Sequence, residues 1–460
     1  MAERFVTVDR DTPMLLPPDL RDWVADDDLV HFIIEAVERL PLSNFKTNTR
    51  GCGNAQMPPH MMLALLVYCY SNGIFSSRKI ERATYRDVAV RFLTADTHPD
   101  HDTICTFRRK NLPAISKAFV EILQLAREMG LLKVGKVSTD GTHIKGSASI
   151  NKNVTYKRAK EIRKALQTDI AELLKQAENA DTTGVDDQKL PDEIARREKL
   201  TSKMDQAIDG IKKRAETHAK TEAKEHKKKI AQRKKKEKES GKKPPGPPLK
   251  APRDAETIAM ESSESFNLTD PDTRVMRKSR NAAYTQSINA QASVDADGSY
   301  LIVGQHISQC SSDSNELLPA YGSIAEGIGK PTHLLADAGY LKIEAMEHLE
   351  KETHCELYLS VHREDAHNER SYDYRPDTSK PKKALVNETL IKMRDKLSSK
   401  EGKLIYKLRA QTIETVFGII KEVIGFRSFR LRGLEKMAGE WELACLAYNC
   451  KRLHKMIQTS

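Results

Sequence analysis

One segment of the sequence, residues 151–262, differs from its surroundings and constrains the fold most. It is rich in Lys, Glu and Ala and nearly free of aromatic residues. Apolar residues recur at spacings of three and four on both sides of ADTTGVDDQKLP, which predicts two long helices in an antiparallel hairpin. The run GKKPPGPPLKAP then predicts a stiff linker. We therefore expect a charged, coiled-coil-like helical insert that interrupts a different kind of structure.

The net charge of the chain is concentrated in this insert. Residues 211–250 contain 16 Lys or Arg and five Asp or Glu, so the whole formal charge of +11 lies there. Such a polycation predicts contact with DNA phosphates through counterion release. A solvated helix face followed by a disordered linker explains the same composition equally well.

Several protein classes are disfavoured by composition. No stretch of 18 apolar residues exists, so no membrane span is expected. The first residues, MAERFVTVDRD, lack the apolar region of a secretory signal. None of the seven cysteines forms a C-x-x-C pair, so we expect neither a zinc site nor a disulfide framework. A cytoplasmic location is the expectation that remains.

Residues 1–132 predict a helical domain. DLVHFIIEAVERL has the apolar spacing of an amphipathic helix, and PPHMMLALLVYCYSNGI predicts a buried one. A later helix, capped by Asp102 or Thr103, carries FRRK with Arg108 and Arg109. This pattern fits a small DNA-binding domain, although a helical oligomerisation module fits it as well.

Strand patterns flank the insert, in residues 133–150 and 263–460. KVGKVSTDG predicts a strand that ends at or just past Asp140, while AAYTQSINAQASVD, ADG and SYLIVGQHIS predict a hairpin. PTHLLADAGY predicts a short strand with Asp337 at its end, and CELYLSV predicts another. Helical patterns alternate with the later strands. The sequence therefore predicts an α/β fold with a mixed sheet flanked by helices.

Three carboxylates stand where a site could form. Asp140 and Asp337 end strands, Glu414 lies in a helix near the end of the chain, and ligands gather at strand ends in such sheets. Together they could hold two Mg²⁺ for phosphodiester chemistry. Each is a weak signal alone, since such an aspartate usually forms a turn or a cap and such a glutamate is usually solvated.

Other acidic residues near these elements compete for the same role. We interpret Asp270 and Asp272 as turn residues before a strand, Asp313 as a helix N-cap and Glu316 as solvated.

The segment YKLRAQTIETVFGIIKEVIGF predicts one amphipathic helix from residue 406 to 426. Its apolar stripe lies beside the flank that carries Glu414 and Gly418. A glycine there leaves room for a metal ion or a DNA backbone, or else marks a helix packing contact. The apolar residues of the stripe are Ile413, Val416, Phe417, Ile420 and Ile424.

Three of these stretches resemble the insertion-sequence DDE transposases, whose catalytic core is RNase H-like. VSTDGTHIKGSAS resembles the first-aspartate block, HLLADAGYLK the second, and YKLRAQTIETVFGIIKEVIGFRSFRLRGLEK the glutamate block. The N-terminal helices and the tail WELACLAYNCKRL are also similar, so only the insert lacks a counterpart. The resemblance implies that Asp140, Asp337 and Glu414 are the catalytic and metal-binding residues, holding two Mg²⁺ with Mn²⁺ as a possible substitute.

The glutamate block also resembles a tyrosine–arginine–glutamate–lysine signature. Tyr406, Arg409, Glu414 and Lys421 match it, which implies that the tyrosine, arginine and lysine contact DNA. Four residues separate Arg409 from Glu414 where the signature has three, so Lys407 stays open as the alternative to Arg409.

The resemblance implies that the protein is a DNA transposase. It would cut the ends of a mobile element and join the 3′-OH to target DNA. Its partners would be double-stranded DNA, both terminal inverted repeats and target, and further copies of the chain in a homodimer or larger synaptic assembly at a bacterial nucleoid. Arg427, Arg430 and Arg432 would contact DNA, unless they are ordinary surface residues. A non-catalytic DNA-binding protein and a nuclease of the same fold are the alternatives.

Overall fold

The structure is a computed structural model that describes residues 19–47, 56–183, 190–240, 249–277, 281–361 and 387–459. It is a mixed α/β protein with a mixed sheet and long helices, as predicted. The predicted loop at 363–383 and most of the Pro-rich linker lie outside the described residues. No helix in the described ranges is long and apolar enough to cross a membrane.

The chain begins with short helices, as expected for this region. Helix α2 is buried along nearly its whole length, whereas α3 buries only one face. The N-cap of α5 is Asp100, whose side chain accepts a hydrogen bond from the Thr103 amide at 2.7 Å, so the prediction of Asp102 or Thr103 is wrong. The helices are α1 Leu29–Glu38, α2 Pro59–Ser71, α3 Ser77–Arg86, α4 Val88–Leu93, α5 His101–Lys110 and α6 Leu112–Glu128.

The insert forms the predicted hairpin from α7 (Tyr156–Thr183) and α8 (Leu190–Ser240), followed by α9 (Ala255–Glu261). Ion pairs show that its two helices are antiparallel: Arg163 pairs with Asp205, and the later residue Asp169 pairs with the earlier residue Arg197. The insert has a small hydrophobic core of its own. Since α8 is far longer than α7, its second half continues past the hairpin and reaches the sheet region.

Eight strands follow the first six helices. The main sheet has the order β4–β5–β1–β7–β8, and β6 pairs with β5 beside β4. Strand β5 is antiparallel to β1, whereas β7 and β8 are parallel to it. The strands are β1 Lys136–Lys145, β2 Asn153–Thr155, β3 Ser265–Asn267, β4 Arg274–Met276, β5 Thr285–Asp295, β6 Ile302–Ser308, β7 His333–Ala336 and β8 Glu356–Leu359. The β2–β3 ladder at the base of the insert was not predicted, because three residues carry no readable alternation.

One continuous hydrophobic core joins the N-terminal helices to the sheet. The last helix makes this connection: Trp441 is fully buried and donates from Nε1 to the carbonyl oxygen of Gln291 on β5 at 2.9 Å. The boundary predicted at residue 132 therefore separates two parts of one packed body. The remaining helices are α10 Leu317–Gly322, α11 Ile343–Thr353, α12 Glu388–Ser398, α13 Lys400–Arg409, α14 Thr415–Gly418 and α15 Leu434–Thr459.

Candidate active site

Two of the three predicted carboxylates lie side by side at the end of β7. Ser138 of β1 is paired with Leu335 of β7, so the same register continued by two residues places Asp140 opposite Asp337. Strand β7 ends at Ala336, while β1 continues to Lys145 because it stays paired with β5. The predicted end of the first strand at Asp140 is therefore wrong. The unequal strand lengths open one side of β1 where Asp140 stands.

The surroundings of Asp140 disfavour its negative charge. Burial, and next the charge of Asp337, raise the pKa of Asp140 to about 7. The Gly141 amide, which donates to Oδ1 of Asp140 at 2.8 Å, and the guanidinium of Arg409 act in the opposite direction. Two half-buried acids that repel one another form an arrangement that a bound cation would relieve.

The helix that carries Glu414 is not regular. After α13, residues Ala410–Glu414 form a π-helical turn, α14 follows, and Ile419–Val423 form a second π turn. The prediction of one regular α-helix is therefore wrong here, although the apolar stripe is buried as expected. A π turn bonds residue i to i+5, and such turns are frequent at functional sites.

The first π turn brings Arg409 and Glu414 together. In a regular α-helix, two residues five positions apart point about 140° away from each other around the axis, so their side chains would not meet. Nη2 of Arg409 nevertheless lies 3.6 Å from Oε1 of Glu414, and Nη1 lies 3.6 Å from Oδ2 of Asp140. The π turn thus brings the two side chains together although four residues separate them.

Arg409 is therefore placed differently from a residue on an open DNA surface. Its side chain is buried between two of the predicted catalytic carboxylates, and its guanidinium lies 5.8 Å from the ring centroid of Tyr406. Tyr406 itself is half-buried, whereas Lys407 is exposed. Arg409, and not Lys407, is thus the member of this pair that touches the carboxylates.

Asp313, one of the competing carboxylates and interpreted from the sequence as a cap, lies in the site. Its Oδ1 accepts hydrogen bonds from the side-chain amides of Asn289 at 2.7 Å and Gln291 at 2.6 Å, both on β5. Helix α10 begins at Leu317, and its N-cap residue is Glu316. The interpretation of Asp313 as a helix N-cap is therefore wrong.

Gly141 allows this close arrangement. A Cβ at Gly141 would lie 2.5 Å from Oδ1 of Asp313 and would overlap the side-chain amide of Gln291. Any side chain there would displace these groups from the position beside Asp140. The same Gln291 accepts a hydrogen bond from the hydroxyl of Tyr340, the tyrosine of the DAGY run.

A cavity of about 470 Å³ opens onto this group of residues. Its wall includes Asp313, Asp337 and Arg409. Serine hydroxyls and small residues complete the lining, so the space is polar. The other lining residues are Ser311, Ser312, Ala338 and Gly339.

The residues fit the expected metal only in part. Asp140 and Asp337 supply hard oxygen donors next to each other, as Mg²⁺ requires. Glu414 is 60% exposed and directed at Arg409. Within the described ranges no three His, Cys, Asp or Glu side chains form a ready metal-binding group. The pair of aspartates is thus assembled, and the third carboxylate is not.

The remaining predicted residues of the glutamate block lie near β1. Nζ of Lys421 donates to Oγ1 of Thr142 and to the carbonyl oxygen of His143, two and three residues beyond Asp140. Among the described residues, a Cβ at Gly418 would meet no atom within 4 Å, so the packing contact considered for this glycine is not present there. The described residues therefore leave space beside Gly418.

Three arginines after this helix are exposed, as their predicted DNA contact requires. Arg427 pairs with Glu422, and Nε of Arg432 donates to the carbonyl oxygen of Ser147 at 2.9 Å. The backbone amide of Arg430 is bound to Glu440, but its side chain faces solvent. Their contact with DNA stays a prediction.

Arg108 needs a correction. Its guanidinium is 3% exposed, donates to the Tyr70 hydroxyl at 2.7 Å and to the Phe75 carbonyl at 3.0 Å, and lies 3.8 Å from Glu440. A side chain enclosed in this way cannot reach DNA; it connects the N-terminal helices to α15. Arg109 is exposed and stays a candidate for DNA contact.

The competing acidic residues have mostly structural positions. Asp270 and Asp272 lie at the turn before β4, as predicted, and a carboxylate oxygen of Asp272 accepts from the Leu434 amide at 2.9 Å. Glu316, predicted to be solvated, is instead buried. Its Oε2 lies 2.9 Å from Nε2 of His306.

Comparison with known families identifies the class of protein to which the chain belongs. Residues 254–450 match the family described as "Transposase DDE domain", and residues 18–110 match "Transposase domain (DUF772)". The chain therefore belongs to the insertion-sequence DDE transposases, a family that generally uses divalent metal ions. The resemblance to this family is confirmed, while membership of the tyrosine–arginine–glutamate–lysine group stays a prediction. Searches of curated proteins and of solved structures gave no match.

Proposed function

We propose that the protein cleaves the ends of its own DNA element and joins them to target DNA. The observation that carries this proposal is the half-buried pair Asp140 and Asp337, which lies beside a polar cavity on a chain of the DDE transposase family. In the first step water attacks the phosphodiester at the element end, and the element strand leaves with a free 3′-OH. In the second step this 3′-OH attacks a target phosphodiester, and the target's own 3′-oxygen leaves.

Asp140, Asp337 and Glu414 would hold two Mg²⁺, with Mn²⁺ as a possible substitute. Bound there, the ions supply charge neutralisation at the phosphate and a lowered pKa for the attacking water. Glu414 would join the aspartates by leaving Arg409, and Arg409 would then be available to a DNA phosphate. Its bidentate guanidinium suits that exchange.

Other residues would position the DNA. Lys421, held against β1 next to Asp140, would contact the backbone near the scissile phosphate. Tyr406, Arg427, Arg430 and Arg432 would contact the DNA that flanks it. Because two element ends must be joined in one reaction, the active form would be a homodimer or a larger synaptic assembly, located at the bacterial nucleoid.

Asp313 is a second candidate for the third carboxylate. It already faces the cavity beside Asp337, whereas Glu414 must move to join the site. The two assignments are separated by comparing Glu414→Gln with Asp313→Asn. We expect Glu414→Gln to abolish cleavage of end-containing DNA in Mg²⁺. Cleavage that survives Glu414→Gln but is abolished in Asp313→Asn would transfer the role to Asp313.

Product analysis separates the proposed function from its alternatives. Wild-type protein, labelled duplexes from the DNA flanking the coding region, a supercoiled target plasmid and Mg²⁺ should give both cut ends and joined products. Cut ends without joined products would identify a nuclease without strand transfer. DNA binding with neither product would identify a non-catalytic DNA-binding protein. The matched control is Glu401→Gln, an exposed glutamate on α13 just before this helical segment, which should leave both products unchanged.

A further inference from the structure

Helix α3 carries an unusually uniform outward face. Its exposed side chains are Arg78, Lys79, Arg82, Tyr85 and Arg86. At about 100° per residue these five occupy an arc of about 120°. The opposite face, with the buried residues Ile80, Ala83 and Thr84, holds the helix against its neighbours.

The four cations of this face have no acidic partner among the residues that the structure describes. Three other arginines of the N-terminal region are neutralised locally: Arg21 by Asp19, Arg39 by Glu35 and Arg91 by Asp96, at 2.5–2.8 Å. The one acid on α3, Glu81, is half-buried at the flank and is bound to Nδ1 of His101 at 2.9 Å. The charge of the outward face is thus not neutralised by the residues that the structure describes.

The tyrosine at one edge of the face is held in place. Tyr85 is 56% exposed, and its ring stacks on that of His98 with centroids 3.8 Å apart. His98 is in turn bound to Oγ1 of Thr84 at 3.2 Å. A large aromatic side chain that is both exposed and fixed can contact a partner at a low cost in side-chain entropy.

The face borders a shallow depression of about 560 Å³ between α3 and the start of α5. It is lined by all three arginines of the face and by Tyr85, Glu81 and His101. Cations spaced three or four residues apart on one side of a helix match phosphates along a duplex groove, and arginine also binds guanine edges in the major groove.

We propose that the outward face of α3 binds duplex DNA at the ends of the element. This rests on the proposed function for the identity of the DNA, and it replaces Arg108 as the main DNA contact of the N-terminal helices. Charge complementarity carries the choice of partner: four unpaired cations and one aromatic ring face outward on ten residues, without an apolar patch for a protein partner.

The test is a triple variant, Arg78→Gln, Arg82→Gln and Arg86→Gln. Glutamine is a good helix former, and all three sites are exposed, so the fold should be kept. The matched control is Lys157→Gln, Lys164→Gln and Lys175→Gln on α7, which removes the same charge from other exposed positions. Circular dichroism should show equal helix content and equal melting temperatures for both variants.

Binding is measured in EDTA by fluorescence anisotropy, with labelled duplexes from the DNA flanking the coding region and scrambled duplexes of the same composition. We expect the α3 variant to bind the flanking duplexes at least about 100-fold more weakly. Its salt slope should fall by about 0.9 for each DNA phosphate that the variant no longer neutralises. The α7 control should bind like wild type.

Each outcome decides the inference separately from the proposed function. If the α3 variant binds like wild type, or if wild type binds no duplex, the inference is overturned. If both triple variants bind equally weakly, net charge and not α3 is responsible, and the inference is again overturned. Because no metal is present, weaker binding by the α3 variant alone supports the inference even where wild type later proves unable to join DNA strands.

Discussion

The carboxylate end of the sheet and the helical insert are both rich in charge, but they hold it in opposite ways. At the sheet, the side chains of Asp140 and Arg409 are 21% and 6% exposed. On α8, those of Lys228 and Lys229 are 68% and 61% exposed. Charges interact more strongly, and salt screens them less, where water is excluded. One buried charge should therefore matter more than several exposed ones, although the insert dominates the charge of the sequence.

The largest expected effect is on catalysis at the pair Asp140 and Asp337. Asp140→Asn or Asp337→Asn removes one oxygen donor and one negative charge without changing side-chain volume. We expect cleavage of end-containing DNA to fall at least about 100-fold, because electrostatic groups at reacting phosphates are worth that much or more. Single-turnover cleavage rates in Mg²⁺ measure it. An unchanged rate in either variant would place the chemistry elsewhere.

The next effect concerns stability. Arg409→Ala leaves Asp140 buried without its cation, and breaking such a pair costs roughly 3 kcal/mol of unfolding free energy. Chemical denaturation at neutral pH without divalent ions measures it. Lys407→Ala, two residues away and exposed, is the matched control and should change stability by less than about 0.5 kcal/mol. Equal costs in the two variants would remove the distinction between buried and exposed charge.

The raised pKa of Asp140 also predicts a pH dependence. Its ordinary value is 3.8 and its folded value is about 7, so the folded state holds the proton more tightly. The stabilisation is fully present below about pH 4 and is lost as pH rises to about 7, by up to a few kcal/mol. The difference in unfolding free energy between wild type and Asp140→Asn, measured without divalent ions, should follow this curve. A difference that is constant from pH 4 to 8 would contradict the prediction.

A smaller effect is expected from shortening the first π turn. Deletion of Gln411, which is exposed, leaves three residues between the arginine and the glutamate, and a regular α-helix then keeps the two on one side. We expect cleavage to stay within about tenfold of wild type. Deletion of Glu401 in α13 is the comparison, because it shortens a regular helix that has no extra residue to lose. A larger loss on deleting Gln411 than on deleting Glu401 would show that the π turn itself is required.

The smallest effect is expected on the insert. Lys228→Gln removes one partner of an exposed pair with Glu344, and such pairs are worth less than about 1 kcal/mol. Unfolding free energy should change by less than about 0.5 kcal/mol. A cost as large as that of Arg409→Ala would show that α8 is held by its charges, contrary to the comparison.

The sequence was sufficient where short-range patterns decide the structure. Alternation and the ADG turn predicted the hairpin of β5 and β6, and the apolar run before Asp337 predicted β7. The spacing of apolar residues predicted α7 and α8. In each case neighbouring residues carry the signal, because a strand or helix buries one face with a fixed period.

The sequence was insufficient where distant residues decide a side chain's surroundings. Arg108 looked exposed in FRRK, but Glu440 on the last helix and Tyr70 enclose it. Asp313 looked like a cap, but amides on β5 hold it in the site. The π turn at Ala410–Glu414 depends on backbone hydrogen bonding that the periodicity of apolar residues does not predict.

Magnesium binding to the DNA-free protein tests most directly whether Asp140 and Asp337 form a cation site. Titration calorimetry would compare wild type with Asp140→Asn, with Glu422→Gln as the control. We predict that wild type and the control bind Mg²⁺, releasing more protons at pH 6 than at pH 8, because the ion displaces the proton held by Asp140. Asp140→Asn should lose both the binding and the proton release. Equal binding by wild type and Asp140→Asn, at both pH values, would contradict the assignment of this pair as the metal-binding centre.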